Sequence, residues 1–172
     1  MVNAEARPHQ KRPLSKFIPM IGLTALPLVV GGIASFLTSD AMMQFNAFRQ
    51  PPLSPPAWLF PVAWTILYLL MGAASYLLYA YLPNDAGEAK TRRAALLVYS
   101  IQLAINFAWS LVFFGLGNHW LAFMLLMAMW LMIIALVAMS FRLDKRAGWM
   151  LVPYLAWTTF AAYLNLAIAI LN

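Results

Sequence analysis

The sequence has 172 residues, of which 64% are hydrophobic and only 9% are Asp, Glu, Lys or Arg. Because soluble proteins carry roughly 25% charged residues, this composition excludes an ordinary soluble domain and predicts one domain within a lipid bilayer. The absence of cysteine excludes disulfides, thiolate metal sites and covalent haem attachment. The net charge is +6, but the basic residues lie in clusters beside apolar segments, so nucleic acid is not an expected partner.

Five apolar stretches are long enough to cross a bilayer core of about 30 Å as helices. They contain no charged residue and cover residues 17–37, 58–82, 94–116, 120–141 and 147–172. Residues 1–16, which are basic and contain two prolines, are predicted to form a disordered tail. The length of the first span favours an uncleaved helix over a signal peptide. The sequence therefore predicts an all-α membrane protein, a bundle of five transmembrane helices over residues 17–172.

The connection between the first two spans, residues 38–57, is the longest and is rich in proline. Proline restricts the backbone and lacks an N–H donor, so no regular helix is expected there. A long, stiffened loop over a helical bundle is more often a lid or binding element than a passive linker. We therefore expect a lid that includes Pro51, Pro55 and Pro56. The next connection, at residues 84–89, is predicted to be a polar loop.

The third span combines a polar face with a face of small residues. Gln102, Asn106 and Ser110 recur every four residues and so lie on one side of a helix. This polar face is expected to point into the bundle, with interhelical hydrogen bonding and ligand contact equally open as its role. Small residues on the opposite face allow close approach of another helix and predict a homodimer contact at Ala104, Ala108 and Gly115. Residues 115–119, with two glycines and an asparagine, predict a tight turn before the fourth span.

Aromatic residues lie at helical spacing in the second and fifth spans. Trp64 and Tyr68 are one turn apart, and Trp157 shares one face of the fifth span with three later residues, Ala161, Leu164 and Asn165. An interfacial aromatic belt explains tryptophans at the span ends but fits the deeper ones less well, namely Trp64, Trp109, Trp130 and Trp157. Broad π faces with few charges favour a flat, hydrophobic, aromatic ligand.

The ionisable residues predict an orientation but no catalysis. Ten of the eleven basic residues fall on one side of the five spans, and only Arg49 falls on the other. The positive-inside rule then predicts a cytoplasmic N-terminus and an outer C-terminus, as in an inner (cytoplasmic) membrane, with an outer membrane as the alternative. All five acidic residues lie outside the spans, which argues against an ion-driven pump. His9 and His119 lack partners at ligand spacing, so neither a metal site nor a catalytic residue is expected.

Three segments carry a resemblance to a known family: PPLSPPAWLFPVAWTILYLLMGAASYLLY at residues 51–79, QLAINFAWSLVFFGLG at 102–117 and LVPYLAWTTFAAYLNLAI at 151–168. In order and spacing they resemble the translocator protein family, whose bacterial members are tryptophan-rich sensory proteins (TspO) and whose animal members are peripheral benzodiazepine receptors. The chain resembles a bacterial member from about Ile18 to its C-terminus. The resemblance implies a five-helix bundle, often dimeric, with a pocket under the first loop.

The resemblance also implies a ligand, because the family binds porphyrins, haem, sterols and synthetic benzodiazepine-type compounds. By motif, the ligand-binding positions of this chain are Trp64, Tyr68, Gln102, Asn106, Trp109, Trp157, Ala161, Leu164 and Asn165. The expected function is a membrane receptor or carrier for tetrapyrroles, with a transport or stress-regulatory role and no required cofactor. The alternatives are a light-dependent porphyrin-degrading enzyme and a regulatory partner in a larger membrane complex.

Two departures from the family pattern bear on these alternatives. Gln44 and Phe45 stand where many bacterial members have a Trp-Tyr pair before the proline-rich loop, which counts against photochemical porphyrin breakdown. The C-terminal segment YLNLAIAILN has no Lys or Arg, so the cholesterol-recognition motif of the animal members is missing.

Overall fold

The computed structural model describes residues 17–39 and 48–172; the predicted N-terminal tail, Gln44 and Phe45 lie outside these residues. Five long helices dominate the described chain: α1 (Phe17–Leu37), α2 (Leu59–Ala80), α3 (Ala86–Ser110), α4 (His119–Leu143) and α5 (Lys145–Leu171). Each is long and apolar enough to span a membrane, and the described residues contain no strand. The prediction of an all-α membrane protein with five spanning helices is confirmed.

The helices pack so that α5 contacts both α2 and α4, while α3 packs on α4 and α1 packs mainly on α2. A Cβ added at Gly72 of α2 would lie 2.5 Å from the carbonyl oxygen of Thr24 in α1. Only glycine therefore allows α1 and α2 to approach this closely. The rest of α1 is largely lipid-facing, with Pro27 and Ala34 as its buried residues.

The connection between α2 and α3 corrects the sequence prediction. The polar loop expected at residues 84–89 is wrong beyond Asp85, because α3 begins at Ala86. The Asp85 carboxylate accepts a hydrogen bond from the Glu88 N–H at 2.7 Å, and Glu88 Oε2 accepts one from the Asn84 N–H at 2.8 Å. The first bond satisfies an N–H group that the first turn of a helix leaves without a partner, and the second ties the residue before the cap to that turn. The polar composition of this stretch is thus that of a helix cap.

The tight turn predicted near residue 117 is confirmed. The helix α3 continues into one π-helical turn, Leu111–Gly115, and α4 begins at His119. Gly117 has a φ of 62°, a left-handed conformation that glycine adopts without steric cost. Asn118 then caps α4, since its side-chain oxygen accepts a hydrogen bond from the Leu121 N–H at 3.0 Å.

A single residue, Asp144, separates α4 from α5. Its carboxylate accepts a hydrogen bond from the Arg146 N–H at 2.8 Å and pairs with the Arg146 guanidinium at 2.8 Å. The side-chain hydrogen bond from Arg146 lowers the pKa of Asp144, so the cap stays charged at neutral pH. This connection is too short to move independently of the two helices that it joins.

Candidate functional site

A cavity lies between α1, α2, α3 and α5, in the half of the bundle nearest the proline-rich connection. Each of the four helices contributes a group of lining residues: Gly31, Ala34, Ser35 and Thr38; Phe60, Pro61, Trp64 and Tyr68; Trp109, Ser110, Phe113 and Phe114; and Trp157, Phe160, Ala161, Leu164, Asn165 and Ile168. Seven of the nine ligand-binding positions expected from the family motifs line it: Trp64, Tyr68, Trp109, Trp157, Ala161, Leu164 and Asn165. The structure therefore brings most of these positions together at one site.

Aromatic rings form the centre of the cavity wall. The Trp64 ring lies 5.4 Å from the Tyr68 ring and 6.0 Å from the Trp109 ring, measured between centroids. Trp109 in turn stacks on Phe113 of the π-helical turn at 5.5 Å. These separations fall in the range in which aromatic pairs attract each other beyond simple burial. No lining residue carries a formal charge, so the lining of the cavity is mainly apolar and aromatic.

Gln102 and Asn106 lie beneath the cavity instead of lining it, at 0% and 1% exposure. Tyr68 donates a hydrogen bond from its hydroxyl to Asn106 Oδ1 at 2.9 Å, and Asn106 Nδ2 donates to the Tyr154 hydroxyl at 3.2 Å. That hydroxyl donates to Gln102 Oε1 at 2.8 Å. For Gln102 and Asn106 the structure shows interhelical hydrogen bonding, whereas Ser110, the third residue of the polar face, lines the cavity and donates to the Asn106 carbonyl oxygen of its own helix at 3.3 Å. This network joins α2, α3 and α5 and fixes the Tyr68 ring in the wall.

A second set of hydrogen bonds positions Trp109. Its indole Nε1 donates to Asn165 Oδ1 at 3.0 Å, and Asn165 Nδ2 donates to the His119 carbonyl oxygen at 2.8 Å. Asn165 is 1% exposed, so both bonds are protected from water. Since a buried donor without an acceptor costs about 1–3 kcal/mol, this pairing holds the Trp109 ring in one orientation. Asn165 thus lines the cavity and also positions the Trp109 ring.

Sequence reasoning missed two parts of the site. Tyr154 is fully buried and central to the network, and its distance of seven and eleven residues from Ala161 and Asn165 is a signal that could have found it. The α1 wall carries no such signal, because Gly31 and Ala34 are small and apolar. Their contribution depends on how α1 packs against α2, which periodicity within one helix does not encode.

The proline-rich connection is anchored to the far end of α5. The Tyr163 hydroxyl donates to the Pro52 carbonyl oxygen at 2.7 Å, and the Arg49 N–H donates to Asn172 Oδ1 at 3.0 Å. None of the three prolines expected in the lid, Pro51, Pro55 and Pro56, lines the cavity. The lid therefore remains a prediction.

The small-residue face of α3 points away from the bundle. Ala104 and Gly115 are exposed and Ala108 is half-buried, and a Cβ added at Gly115 would meet no atom within 4 Å. A homodimer contact on this face remains a prediction.

The cavity has a volume of about 100 Å³. Sites for drug-sized ligands measure roughly 300–1,000 Å³, so a ligand as large as a tetrapyrrole requires the walls to move apart. In this structure the aromatic side chains contact one another and leave a space smaller than such a ligand.

These features define an integral membrane protein of five α-helices with an aromatic cavity inside the bundle. Residues 23–171 match the TspO/MBR family. The chain belongs to the TspO/MBR family, as its motifs indicate.

Curated relatives come from distant organisms. The tryptophan-rich protein TspO of Chlorobaculum tepidum is 34% identical over 148 residues, which cover 86% of this chain and 91% of that protein. The tryptophan-rich sensory protein of Cereibacter sphaeroides is 38% identical over 128 residues, 74% of this chain and 76% of that protein. The translocator protein of Ovis aries is 34% identical over 151 residues, 87% of each chain. One of these names is that of a sensory protein and one that of a translocator protein, and none of the three names an enzyme.

Proposed function

We propose that this protein is a membrane receptor or carrier that binds tetrapyrroles, such as porphyrin or haem, in its intramembrane cavity. The observation that carries the proposal is the convergence of Trp64, Tyr68, Trp109 and Trp157 on one cavity without a charged lining residue. A flat conjugated macrocycle can stack on such rings, and sterol-like or benzodiazepine-type compounds share its apolar character. Membership of the TspO/MBR family supports a membrane receptor role. Transport or stress regulation would follow from this binding.

Within this proposal, the lining tryptophans stack on the ligand and the buried amides act through them. Trp109 is oriented by Asn165, and Tyr68 by Asn106. The tetrapyrrole is a ligand and not a resident cofactor, and no residue of the site needs to coordinate a metal. A haem would therefore be held by stacking and shape.

Removing a lining tryptophan should weaken porphyrin binding. We expect Trp64→Ala and Trp157→Ala each to raise the dissociation constant for protoporphyrin IX about tenfold, or about 1.4 kcal/mol. The measurement is quenching of intrinsic tryptophan fluorescence in nanodiscs. Trp120→Ala is the matched control, because Trp120 is 56% exposed and does not line the cavity. Equal affinity in all four proteins would refute binding at this cavity.

The same samples separate binding from light-dependent degradation, for which the clustered tryptophans are the candidate participants. If the protein is a receptor or carrier, porphyrin absorbance under illumination should fall no faster with the unsubstituted protein than with the Trp157→Phe variant. Faster loss with the unsubstituted protein would favour the enzymatic alternative. Binding without any effect of light supports the receptor role, and no saturable binding would favour a regulatory partner in a larger complex.

The proposed orientation places the N-terminus in the cytoplasm and the C-terminus outside, in a bacterial inner membrane. Lys90 and Lys145 lie in the first turns of α3 and α5, at the end of the bundle where α1 begins, whereas Arg49 lies at the other end. The chain has no cysteine, so a maleimide can react only with a cysteine that is introduced at a chosen position. In spheroplasts, an impermeant maleimide should label Leu53→Cys and spare Lys90→Cys; the reverse pattern would invert the orientation.

We also propose that the protein forms a homodimer through Ala104, Ala108 and Gly115. Their outward direction and small size support close helix contact. Ala104→Phe should therefore convert dimers to monomers, as measured by light scattering of the detergent-solubilised protein. A monomeric unsubstituted protein, or an unaffected dimer in Ala104→Phe, would exclude this interface.

A further inference from the structure

An open groove lies between α2 and α5 on the outer surface of the bundle, with a volume of about 440 Å³. Ala63 and Leu67 of α2 line one side, and Pro153, Ala156, Trp157 and Phe160 of α5 line the other. Leu67 lies eight residues into α2, or about 12 Å along its axis. The groove is therefore inside the apolar span, where lipid chains surround the protein, and no charged side chain lines it.

The groove and the cavity share a wall. Trp157 and Phe160 line both spaces, so the barrier between them is one side chain thick. Alanines at positions 63 and 156 leave room on the lipid side of this barrier. Displacing the shared side chains would therefore join the two spaces into one passage from the bilayer to the cavity.

Trp157 is the part of the wall that can move at least cost. Its buried indole Nε1 has no hydrogen-bond partner in the described residues, whereas Trp109 donates to Asn165 and Trp130 donates to Thr159. Trp157 is held by ring packing, with Phe160 at 5.8 Å between centroids. Rotation of its side chain consequently breaks no hydrogen bond.

The backbone of α5 is also weakened beside the groove. Pro153 lies four residues before Trp157 and has no N–H to donate to the helix. Prolines inside helices are common sites of bending because that hydrogen bond is absent. The helix α5 therefore lacks one backbone hydrogen bond in the turn before Trp157, at the edge of the groove.

A route into the cavity under the proline-rich connection would cost more hydrogen bonds than the lateral route through the groove. Opening it would break the bond from Tyr163 to Pro52 at 2.7 Å and the bond from Arg49 to Asn172 at 3.0 Å. The lateral route requires only the separation of apolar contacts that lipid chains can replace.

We propose that the α2–α5 groove is the lateral entrance through which a flat hydrophobic ligand dissolved in the bilayer reaches the cavity, with Trp157 as its gate. This inference rests on the proposed binding function and adds the source and the path of the ligand. The occupant of the groove is the ligand itself on its way inward, because only the shared Trp157 and Phe160 side chains separate the groove from the cavity. The ligand then enters the cavity from the bilayer and not from the aqueous side.

The test blocks the groove without touching the cavity. Ala156 lines the groove but not the cavity, and Ala156→Phe fills the space from the lipid side. Ala128→Phe is the matched control, because Ala128 is also exposed but lies on α4, which lines neither space. Protoporphyrin IX is delivered in phosphatidylcholine vesicles to protein in nanodiscs, and its association and dissociation rates are followed by tryptophan quenching.

A blocked passage slows movement in both directions equally. We expect Ala156→Phe to lower the association and dissociation rate constants each by about tenfold, with a dissociation constant within about twofold of the original. Ala128→Phe should leave both rates unchanged. Ala156→Cys provides a reversible version in a chain that has no other cysteine. Reaction with benzyl methanethiosulfonate should slow both rates, and dithiothreitol should restore them in the same folded sample.

Each other outcome overturns the inference in a distinct way. Unchanged rates after the groove is blocked would exclude the lateral entrance while leaving the binding function intact. A faster dissociation with weaker affinity would show that the groove contacts the bound ligand and does not act as a passage. Absence of saturable binding in the unsubstituted protein would refute the proposed function, and the entrance with it.

Discussion

Replacing Tyr154 by Phe should destabilise the bundle and weaken ligand binding, although the aromatic ring is retained. The Tyr154 hydroxyl is the only partner of Gln102 Oε1 and the acceptor for Asn106 Nδ2 among the described contacts. Gln102 is 0% exposed and its Nε2 already has no partner, so the substitution leaves its whole amide unpaired. From the cost of buried unpaired groups and the modest strength of interhelical hydrogen bonds in membranes, we expect a loss of about 1–3 kcal/mol.

The measurement is the free energy of unfolding from titration with sodium dodecyl sulfate, followed by circular dichroism. Tyr79→Phe is the matched control, because Tyr79 is 46% exposed and lies at the opposite end of α2 from the cavity. It should change stability by no more than about 0.5 kcal/mol. An equal effect of the two substitutions would show that the buried network contributes nothing specific.

A second substitution distinguishes the hydrogen bond from packing. Adding Gln102→Leu to Tyr154→Phe replaces both members of the pair by apolar groups, which removes the unpaired amide. The double variant should therefore be more stable than Tyr154→Phe alone. Further destabilisation by Gln102→Leu would indicate that Gln102 has a partner other than Tyr154, such as a bound water.

The spans and the direction of the polar face were predictable from the sequence because both depend on local regularity. Apolar length identifies a membrane helix, and a spacing of four residues places Gln102 and Asn106 on one face of α3. The family motifs supplied the aromatic lining at Trp64, Trp109 and Trp157. All of these inferences use information within one helix or one motif.

Contacts between helices were beyond this reasoning. Gln102 and Asn106 are buried against tyrosines of two other helices, because Tyr154 donates to Gln102 and Tyr68 donates to Asn106, and neither amide lines the cavity. The π-helical turn at the end of α3 brings Phe113 against Trp109, and a regular helical pattern does not predict that shift. The early start of α3 has a different cause, because the polarity of the cap residues alone predicts a loop and does not distinguish it from a helix cap.

The contribution of α1 leads to the second large effect, at Gly31. A Cβ at this position would lie 2.1 Å from Tyr68 Cε2, which is well inside van der Waals contact. Tyr68 is held by its hydrogen bond to Asn106 and stacks near Trp64, so its ring has little freedom to yield. Gly31→Ala must therefore either push α1 away from α2 or break the Tyr68–Asn106 bond. Both changes alter the wall of the cavity.

We expect Gly31→Ala to lower stability by about 1–3 kcal/mol, the usual cost of overpacking, and to weaken protoporphyrin IX binding by about tenfold, or about 1.4 kcal/mol. Thermal unfolding and tryptophan quenching measure the two effects. The adjacent Gly32→Ala is the control, because a Cβ at Gly32 would meet no atom within 4 Å. Gly32→Ala gains the same helix propensity, about 0.5–1 kcal/mol, without the collision. Its stability should therefore rise, whereas the stability of Gly31→Ala should fall.

A stable Gly31→Ala variant with unchanged binding would show that α1 shifts freely and leaves Tyr68 in place, and it would remove α1 from the binding site. A stable variant with weakened binding would instead place the whole effect in the cavity wall. Loss of both properties, with Gly32→Ala unaffected, would establish that the contact between Gly31 and the Tyr68 ring couples the packing of the first helix to the shape of the site. The helix α1, whose buried residues are Pro27 and Ala34, would then determine how the aromatic and amide residues of the other helices are arranged.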